Sequence, residues 1–397
     1  MVMKLLILIL IRMEPSVKVQ KLSRCLRLPQ ALIVTMAATI VSAGLLASGA
    51  ASAQEEKILN VYNWSDYIAE DTIKNFEKET GIKVRYDVFD TNEILHAKLV
   101  ARKTGYDIVV PSDTFAQLQI QGGLFKTLDK SKLPNLVNMD PIVQSALSKL
   151  DPNNDHLVNW LWGYTTVGIN TKKVKAALGD LPMPANAWEL IFNPNYASRL
   201  KSCGISFMDS GNEVLPAALL YVNKNPYSQV PADFKLAGEM LKKVRPFVRV
   251  FSSSSYINDL ANGGLCVVMG FSGDINIARQ RAIAAKNGND IEALIPSTSA
   301  VLFFDSMAIP LDAPHPNNAL IWMNYIMRPE VHASLTNKVF YANPNINSLK
   351  FVKKEVVENK TVFLSEADKK RMTPPQPVTP ATRKIEARTF TQFKTGL

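Results

Sequence analysis

Histidine and cysteine are scarce: four of the first and three of the second in 397 residues. His96, His156, His315 and His332 are scattered, with no cysteine or acid at ligand spacing around them. That speaks against a zinc site, and hydrogen-bonded surface histidines are the expectation. There is no G-x-G-x-x-G run and no glycine-rich loop ending in Lys-Ser or Lys-Thr, so nothing cradles a phosphate. Gly270-Phe271-Ser272-Gly273 lacks the spacing of a nucleophile elbow, and no suitable histidine follows it. Past residue 54 no apolar run reaches the ~18 residues a membrane helix needs. Arginines clustered among aromatics, the footprint of nucleic-acid binding, are missing too. The expectation is therefore no cofactor, no metal, no nucleic acid and no covalent chemistry.

The hydrophobic fraction of 47% and charged fraction of 20% are those of a soluble globular chain. Its length suggests about two domains. The first 53 residues are different. Leu32 to Ala53 is apolar, small and uncharged, and ends in Ala51-Ser52-Ala53 after the basic residues Lys18, Lys21, Arg24 and Arg27. This reads as a secretory signal peptide, residues 1–53, cleaved after Ala53. An additional apolar patch, Leu5 to Ile11, makes the leader long, so translation starts at either Met1 or Met13. Cleavage removes six basic residues and one acidic one, which takes the net charge from +10 to +5. Cys25 leaves with the leader. Cys203 and Cys266 remain in an oxidising compartment and read as one disulfide, with two buried free thiols as the alternative.

From residue 57 the pattern alternates. A strand over Lys57–Val61 leads to a helix over Glu70–Thr80, stopped by Gly81. A strand over Ile82–Phe89 follows, then a helix capped by Asp90 with Glu93 and ending near Gly105. Tyr106–Val110 reads as a buried strand. This alternation predicts a parallel sheet, hence an α/β fold. Trp160–Tyr164 and Val167–Asn170 are strand-like and suggest a crossover. Ile205–Phe207 and Leu265–Met269 belong to another α/β region. A strand ends in Phe303-Phe304-Asp305, helices run over Tyr256–Ala261 and Pro316–Met327, and Phe340–Asn343 forms an aromatic turn. Thr379-Pro380 opens a helix running to Gly396.

One residue mixture recurs where strands end: an aromatic beside an acid. It appears in Trp64, Asp66 and Tyr67, in Phe271 and Asp274, and in Phe303 and Asp305, with Glu213 and Tyr341 completing the pattern. A small organic dication needs this mixture. Its charges must meet carboxylates, because burying an unpaired ammonium is costly. Its methylenes and ammonium groups both favour aromatic faces.

The run Tyr62-Asn63-Trp64-Ser65-Asp66-Tyr67-Ile68, followed by Phe76–Val84, closely resembles the periplasmic polyamine-binding proteins of bacterial ABC importers. Tyr86–Asp90, Leu128–Pro134, Lys201–Gly204, Tyr256–Gly263 and Val339–Asn343 extend the resemblance over essentially the whole mature chain, and the putrescine-binding branch looks nearest. The resemblance implies a two-lobed periplasmic-binding-protein fold, with crossover hinge strands and a ligand cleft between the lobes. Lobe 1 would take residues 54–160 and 302–344, and lobe 2 residues 161–301 and 345–397. It implies an aromatic box of Trp64, Tyr67, Phe271, Phe303 and Tyr341, acids at Asp66, Glu213, Asp274 and Asp305, and hydroxyls from Ser65, Ser112 and Ser253. Cys203 and Cys266 fall where that branch has its disulfide. The implied protein is a periplasmic monomer that takes a polyamine to an inner-membrane permease and is no enzyme. Phe271 stands where the family commonly has Trp, so the choice of polyamine stays open. A spermidine or agmatine receptor, a polyamine sensor and, remotely, a secreted hydrolase of small amino compounds are the alternatives.

Overall fold

A computed structural model of the chain describes residues 55–397. The signal peptide, its cleavage after Ala53 and the choice of Met1 or Met13 lie outside the described residues. In the first of two sheets, β1 (Ile58–Trp64) runs between β2 (Lys83–Phe89) and β3 (Ile108–Val109), all parallel. Parallel neighbours need crossovers, which helices α1 (Glu70–Thr80) and α2 (Asn92–Ala101) supply. Glu70 and Asp71 open α1 and Lys78 closes it, matching the helix dipole. Gly81 ends it at φ 72°, a left-handed turn that glycine takes without a Cβ clash. Phe76, fully buried, packs edge-on to Trp322 at 4.9 Å.

Helix α2 corrects two expectations. Its cap is Thr91, not Asp90, because Asp90 instead accepts from Ser65 Oγ at 3.0 Å while Glu93 accepts from Ser210 Oγ. It stops at Ala101, where Arg102 and Lys103 take positive φ. Helix α3 (Asp113–Gln121) follows β3.

The two strand-like runs expected near residues 160–170 are one 13-residue strand, β4 (Val158–Asn170). β5 (Ile205–Phe207), helices α4 (Gly211–Tyr221) and α5 (Pro231–Val244), β6 (Val248–Phe251), helix α6 (Tyr256–Ala261), β7 (Val267–Phe271), helix α7 (Ser272–Ala285), β8 (Ile291–Ala293) and β9 (Leu302–Met307) come next. The second sheet has the order β6-β5-β7-β4-β8. Residues 158–164 of β4 pair antiparallel with β9, and residues 165–170 pair with β7 and β8. One strand therefore passes from one lobe into the other. β9 does not end at Asp305 as expected. It continues to Met307, and Ala308 then bridges Val109, which joins this strand to the first sheet.

Helix α8 (Pro316–Ile326) packs on β1, α9 (Pro329–Val339) packs on α1, α7 and α8, and α10 (Pro380–Thr395) lies on α4 and α5. Thr379 Oγ1 caps α10 by accepting from Thr382 N–H, and Gly396 at φ 82° ends it. One core gathers Leu59, Phe76, Ile108, Trp160 and Trp322, another Ile169, Trp188, Phe192, Phe207 and Phe393. For the lobes we propose 54–160 with 302–344 and 161–301 with 345–397. Within the last stretch Val352, Val356 and Val362 still pack with Ala333 of α9, and the second core resumes at Leu364 and Met372. Cys203 and Cys266 form a disulfide, Cα–Cα 5.5 Å, across 63 residues. Closing a loop of that length constrains the unfolded chain by about 4 kcal/mol on the chain-entropy model. The expectation of surface histidines fails at His332, which is fully buried against the Trp160 carbonyl and pushed down to about 4 by burial.

Candidate ligand cleft

Two buried acids, Asp305 and Asp274, face one cavity. Asp305 sits inside β9, where Leu161 of β4 is its register partner and Ser112 faces it as an isolated bridge. Ser112 Oγ donates to its Oδ1 at 2.6 Å and the Tyr67 hydroxyl to its Oδ2 at 2.8 Å. Asn92 fixes Ser112 in turn: its Oδ1 accepts the Ser112 N–H and its Nδ2 donates to Ser112 Oγ. Burial pushes the Asp305 carboxyl up to about 7, against the pull of those two hydroxyls.

Asp274 lies in the first turn of α7, just after β7 ends. Tyr256 and Tyr341 each donate a hydroxyl to it at 2.6 Å. Burial raises it to about 6. The spacing of Gly270 and Gly273, empty as a catalytic motif, has a steric reason here. A Cβ on Gly270 would come 2.5 Å from the Tyr256 ring, and one on Gly273 2.2 Å from the Tyr341 ring. Two tyrosines reach one carboxylate by lying flat on bare backbone.

Aromatic rings wall the space. Trp64, whose Nε1 donates to the Val110 carbonyl at 2.8 Å, stands 6.1 Å from Phe271. Phe271 meets Phe303 edge-on at 5.0 Å, and Tyr67 meets Tyr341 at 4.8 Å. Gly163 of β4 allows Phe303 and Tyr341 to close in, since a Cβ there would come 2.9 Å from each. The cavity holds about 430 Å³ of non-atom space, its open mouth included. Neither Asp274 nor Asp305 has an ion-pair partner among the described residues. A carboxylate pair with no cation, between ring faces, has the chemistry to hold an organic dication by charge-assisted hydrogen bonds.

Ten of the twelve residues expected from the sequence line this cavity: Trp64, Ser65, Tyr67, Ser112, Ser253, Phe271, Asp274, Phe303, Asp305 and Tyr341. Two do not. Asp66, at φ 56°, turns its carboxylate to Arg281 of α7 at 2.7 Å, a salt bridge joining the β1–α1 turn to the other lobe. Glu213 stands outside the lining, accepting from Thr165 Oγ1 at 2.7 Å, and burial raises it to about 7. Sequence reasoning missed Phe89, Asp90, Ser254 and Ile257, all on the lining. Phe89-Asp90 is itself an aromatic-acid pair at a strand end, so its signal was present. Ile257 carried none.

Two α/β lobes joined by a through-running strand, with two buried acids facing one aromatic-walled cleft, fit a solute-binding protein. The sequence matches the bacterial extracellular solute-binding protein family over residues 71–363, and the chain belongs to that family. It is 44% identical over 349 residues to the putrescine-binding periplasmic protein SpuD of Pseudomonas aeruginosa, covering 88% of this chain and 95% of that one. It is also 44% identical over 365 residues to the putrescine-binding periplasmic protein PotF of Escherichia coli, covering 92% and 97%. A solved structure described as a putative spermidine/putrescine ABC transporter from Listeria monocytogenes superposes with a TM-score of 0.75 at 28% identity, over 85% of this chain and 99% of that one. Among the described residues no helix is long and apolar enough to cross a membrane, and no group of three or more His, Cys, Asp or Glu could hold a metal ion.

Proposed function

We propose that this chain captures putrescine in the periplasm and hands it, chemically unchanged, to the permease of an ABC importer. The carrying observation is the pair Asp274 and Asp305: buried, one from each lobe, held by neutral hydroxyls alone and facing one aromatic-walled cavity. An ammonium at each carboxylate supplies the missing countercharge, which offsets the cost of taking it out of water. The butane chain then lies between Trp64, Phe271, Phe303 and Tyr341. Both 44%-identical relatives are putrescine-binding proteins by description, which supports the choice of ligand. In this reading the chain works as a monomer without cofactor or catalysis, its leader directs export, and the mature protein starts at Gln54. Ligand draws the lobes together, because neither lobe alone supplies both acids.

Calorimetric titration of the mature protein with putrescine, spermidine, cadaverine and agmatine tests this. The expected result is one putrescine per chain, the tightest of the four and recovered intact. Absence of binding by any of them overturns the reading. Tighter spermidine than putrescine transfers it to a spermidine receptor, and altered ligand to a hydrolase.

A further inference from the structure

A separate groove runs between α2 and α3 on one side and α4 and α10 on the other, and it shares no lining residue with the cleft. Glu93, Phe115, Ser210, Arg383, Glu386 and Phe390 stand on its walls, around about 770 Å³ of non-atom space with the open mouth included. Its charges do not balance. Asp209 is matched by Lys394, whose Nζ donates to both carboxylate oxygens at 2.7 and 2.8 Å. Arg383 spends its guanidinium on the Thr114 carbonyl at 2.7 Å and on the Phe115 ring face at 4.5 Å. Burial pushes Asp113, close to that guanidinium, up to about 8, so at neutral pH it keeps its proton and adds no charge. Glu93, exposed, receives the Ser210 hydroxyl at 3.0 Å. Glu386 is the anomaly. It is 5% exposed and lines the groove, yet its carboxyl has no hydrogen bond or ion pair among the described residues. Acids buried to this degree ordinarily have partners. The charges near enough to act on it are Arg383, which draws it, and Glu93, which repels it. Two carboxylates thus share one guanidinium that is already engaged, and one negative charge is left over.

We propose that this groove is a second cation site, which takes one primary alkylammonium between Glu386 and Glu93. An ammonium group brings one charge, which matches the deficit, and three N–H donors, which fill the open Glu386 carboxylate by charge-assisted hydrogen bonds. The alkyl chain then lies against Phe390. A divalent metal ion fits less well, because the described residues provide no group of three or more His, Cys, Asp or Glu that could hold one. The site goes beyond the polyamine reading of the cleft and stands without it.

The mature protein, first given one equivalent of putrescine to occupy the cleft, is titrated with n-butylamine at fixed ionic strength and followed by backbone-amide NMR. The pH is about 8, above the range in which burial keeps a proton on Glu386. The expected result is a saturable shift of the Ser210, Gly211 and Ala387 amides at about millimolar amine, with the Gly163 and Gly273 amides of the cleft unmoved. Glu386→Gln, nearly the same shape, should abolish the response. Glu93→Gln should weaken it by about threefold, as befits an exposed acid, and it serves as the test if Glu386→Gln does not fold. No shift of the groove amides up to about 20 mM amine overturns the proposal. So does a response that survives Glu386→Gln unchanged, or one that sodium chloride reproduces at equal concentration. The initial putrescine step reads the cleft amides alone, so failure of the polyamine reading shows there, separately from failure of the groove.

Discussion

Two pairs of buried aspartates behave differently in this molecule. Asp107 and Asp151 are fully buried in the first lobe, yet fixed groups surround them. Asp107 accepts the N–H groups of Asn60 and His315 and lies 3.0 Å from His315 Nδ1. Asp151 accepts the N–H groups of His156 and Leu157 and lies 2.9 Å from His156 Nδ1. Neither lines the cleft. Asp274 and Asp305 are nearly as buried, but their side-chain oxygens receive tyrosine and serine hydroxyls alone, and they line the cleft. Burial is common to all four. What separates the two pairs is that Asp107 and Asp151 are enclosed by backbone N–H donors and a histidine, whereas Asp274 and Asp305 line a cavity and have no ion-pair partner among the described residues.

The sharpest way to break this contrast is to remove one acid of each kind. Asp305→Ala leaves one ammonium of bound putrescine unpaired, so affinity is expected to fall by at least about a hundredfold. Thermal melts of the free protein should show little loss, since an uncompensated buried carboxyl has gone. Asp107→Ala should do the opposite: about 3 kcal/mol of stability lost with its stranded N–H donors, and unaltered putrescine affinity in the folded fraction. Equal affinity losses in the two variants would erase the distinction.

Acid should distinguish the pairs next. Asp274 and Asp305, raised to about 6 and about 7 by burial, hold protons in the free folded protein that the unfolded chain has already released. The free protein therefore loses stability from these groups as pH rises from about 4 through about 7. The dication requires both ionised, so putrescine affinity gains over the same window. Lowering the pH from about 8 to about 5 is expected to weaken binding by at least about tenfold, with proton release on binding near neutral pH detectable from the buffer dependence of the heat. Affinity that is flat across this range would mean both carboxylates are ionised without ligand.

Gly273→Ala comes next. The added methyl would lie 2.2 Å from the Tyr341 ring and push its hydroxyl off Asp274. A clash of this kind costs about 1–3 kcal/mol, and roughly tenfold weaker putrescine binding is the expected reading by calorimetry. Phe271→Trp should matter least. Phe271 is partly exposed, and swapping one ring face for another is worth about 1 kcal/mol in either direction, set by whether the indole fits beside Trp64 and Phe303. Titration should rank it below Asp305→Ala, and the reverse order would reassign the site.

The cleft was legible from the sequence because its residues announce themselves locally. Trp64 and Phe271 with Asp274 stand where β1 and β7 end, as an α/β fold places ligand-facing loops, and Phe303 with Asp305 shows the same aromatic-acid pairing inside β9. Elements with strong local chemistry were legible too, such as α1 with Gly81 and α10 between Thr379 and Gly396. Apart from the early end of α2 at Ala101, the failures are long-range. Nothing near Asp66 indicates that its charge goes to Arg281, 215 residues away. Nothing in Phe303-Phe304-Asp305 says that the strand continues to Met307, because Val109 on the first sheet holds that end. Asp90 looked like a helix cap since its true partner, Ser65, sits on a different turn.

The measurement closest to the central claim is a crystal structure of the putrescine complex grown above about pH 7. The account predicts one ammonium nitrogen on Asp274 and the other on Asp305, each at a charge-assisted hydrogen-bond distance of about 2.7–2.9 Å, with the butane chain between Phe271 and Tyr341. Putrescine bound elsewhere, or held by one carboxylate while the other keeps its proton, would contradict it.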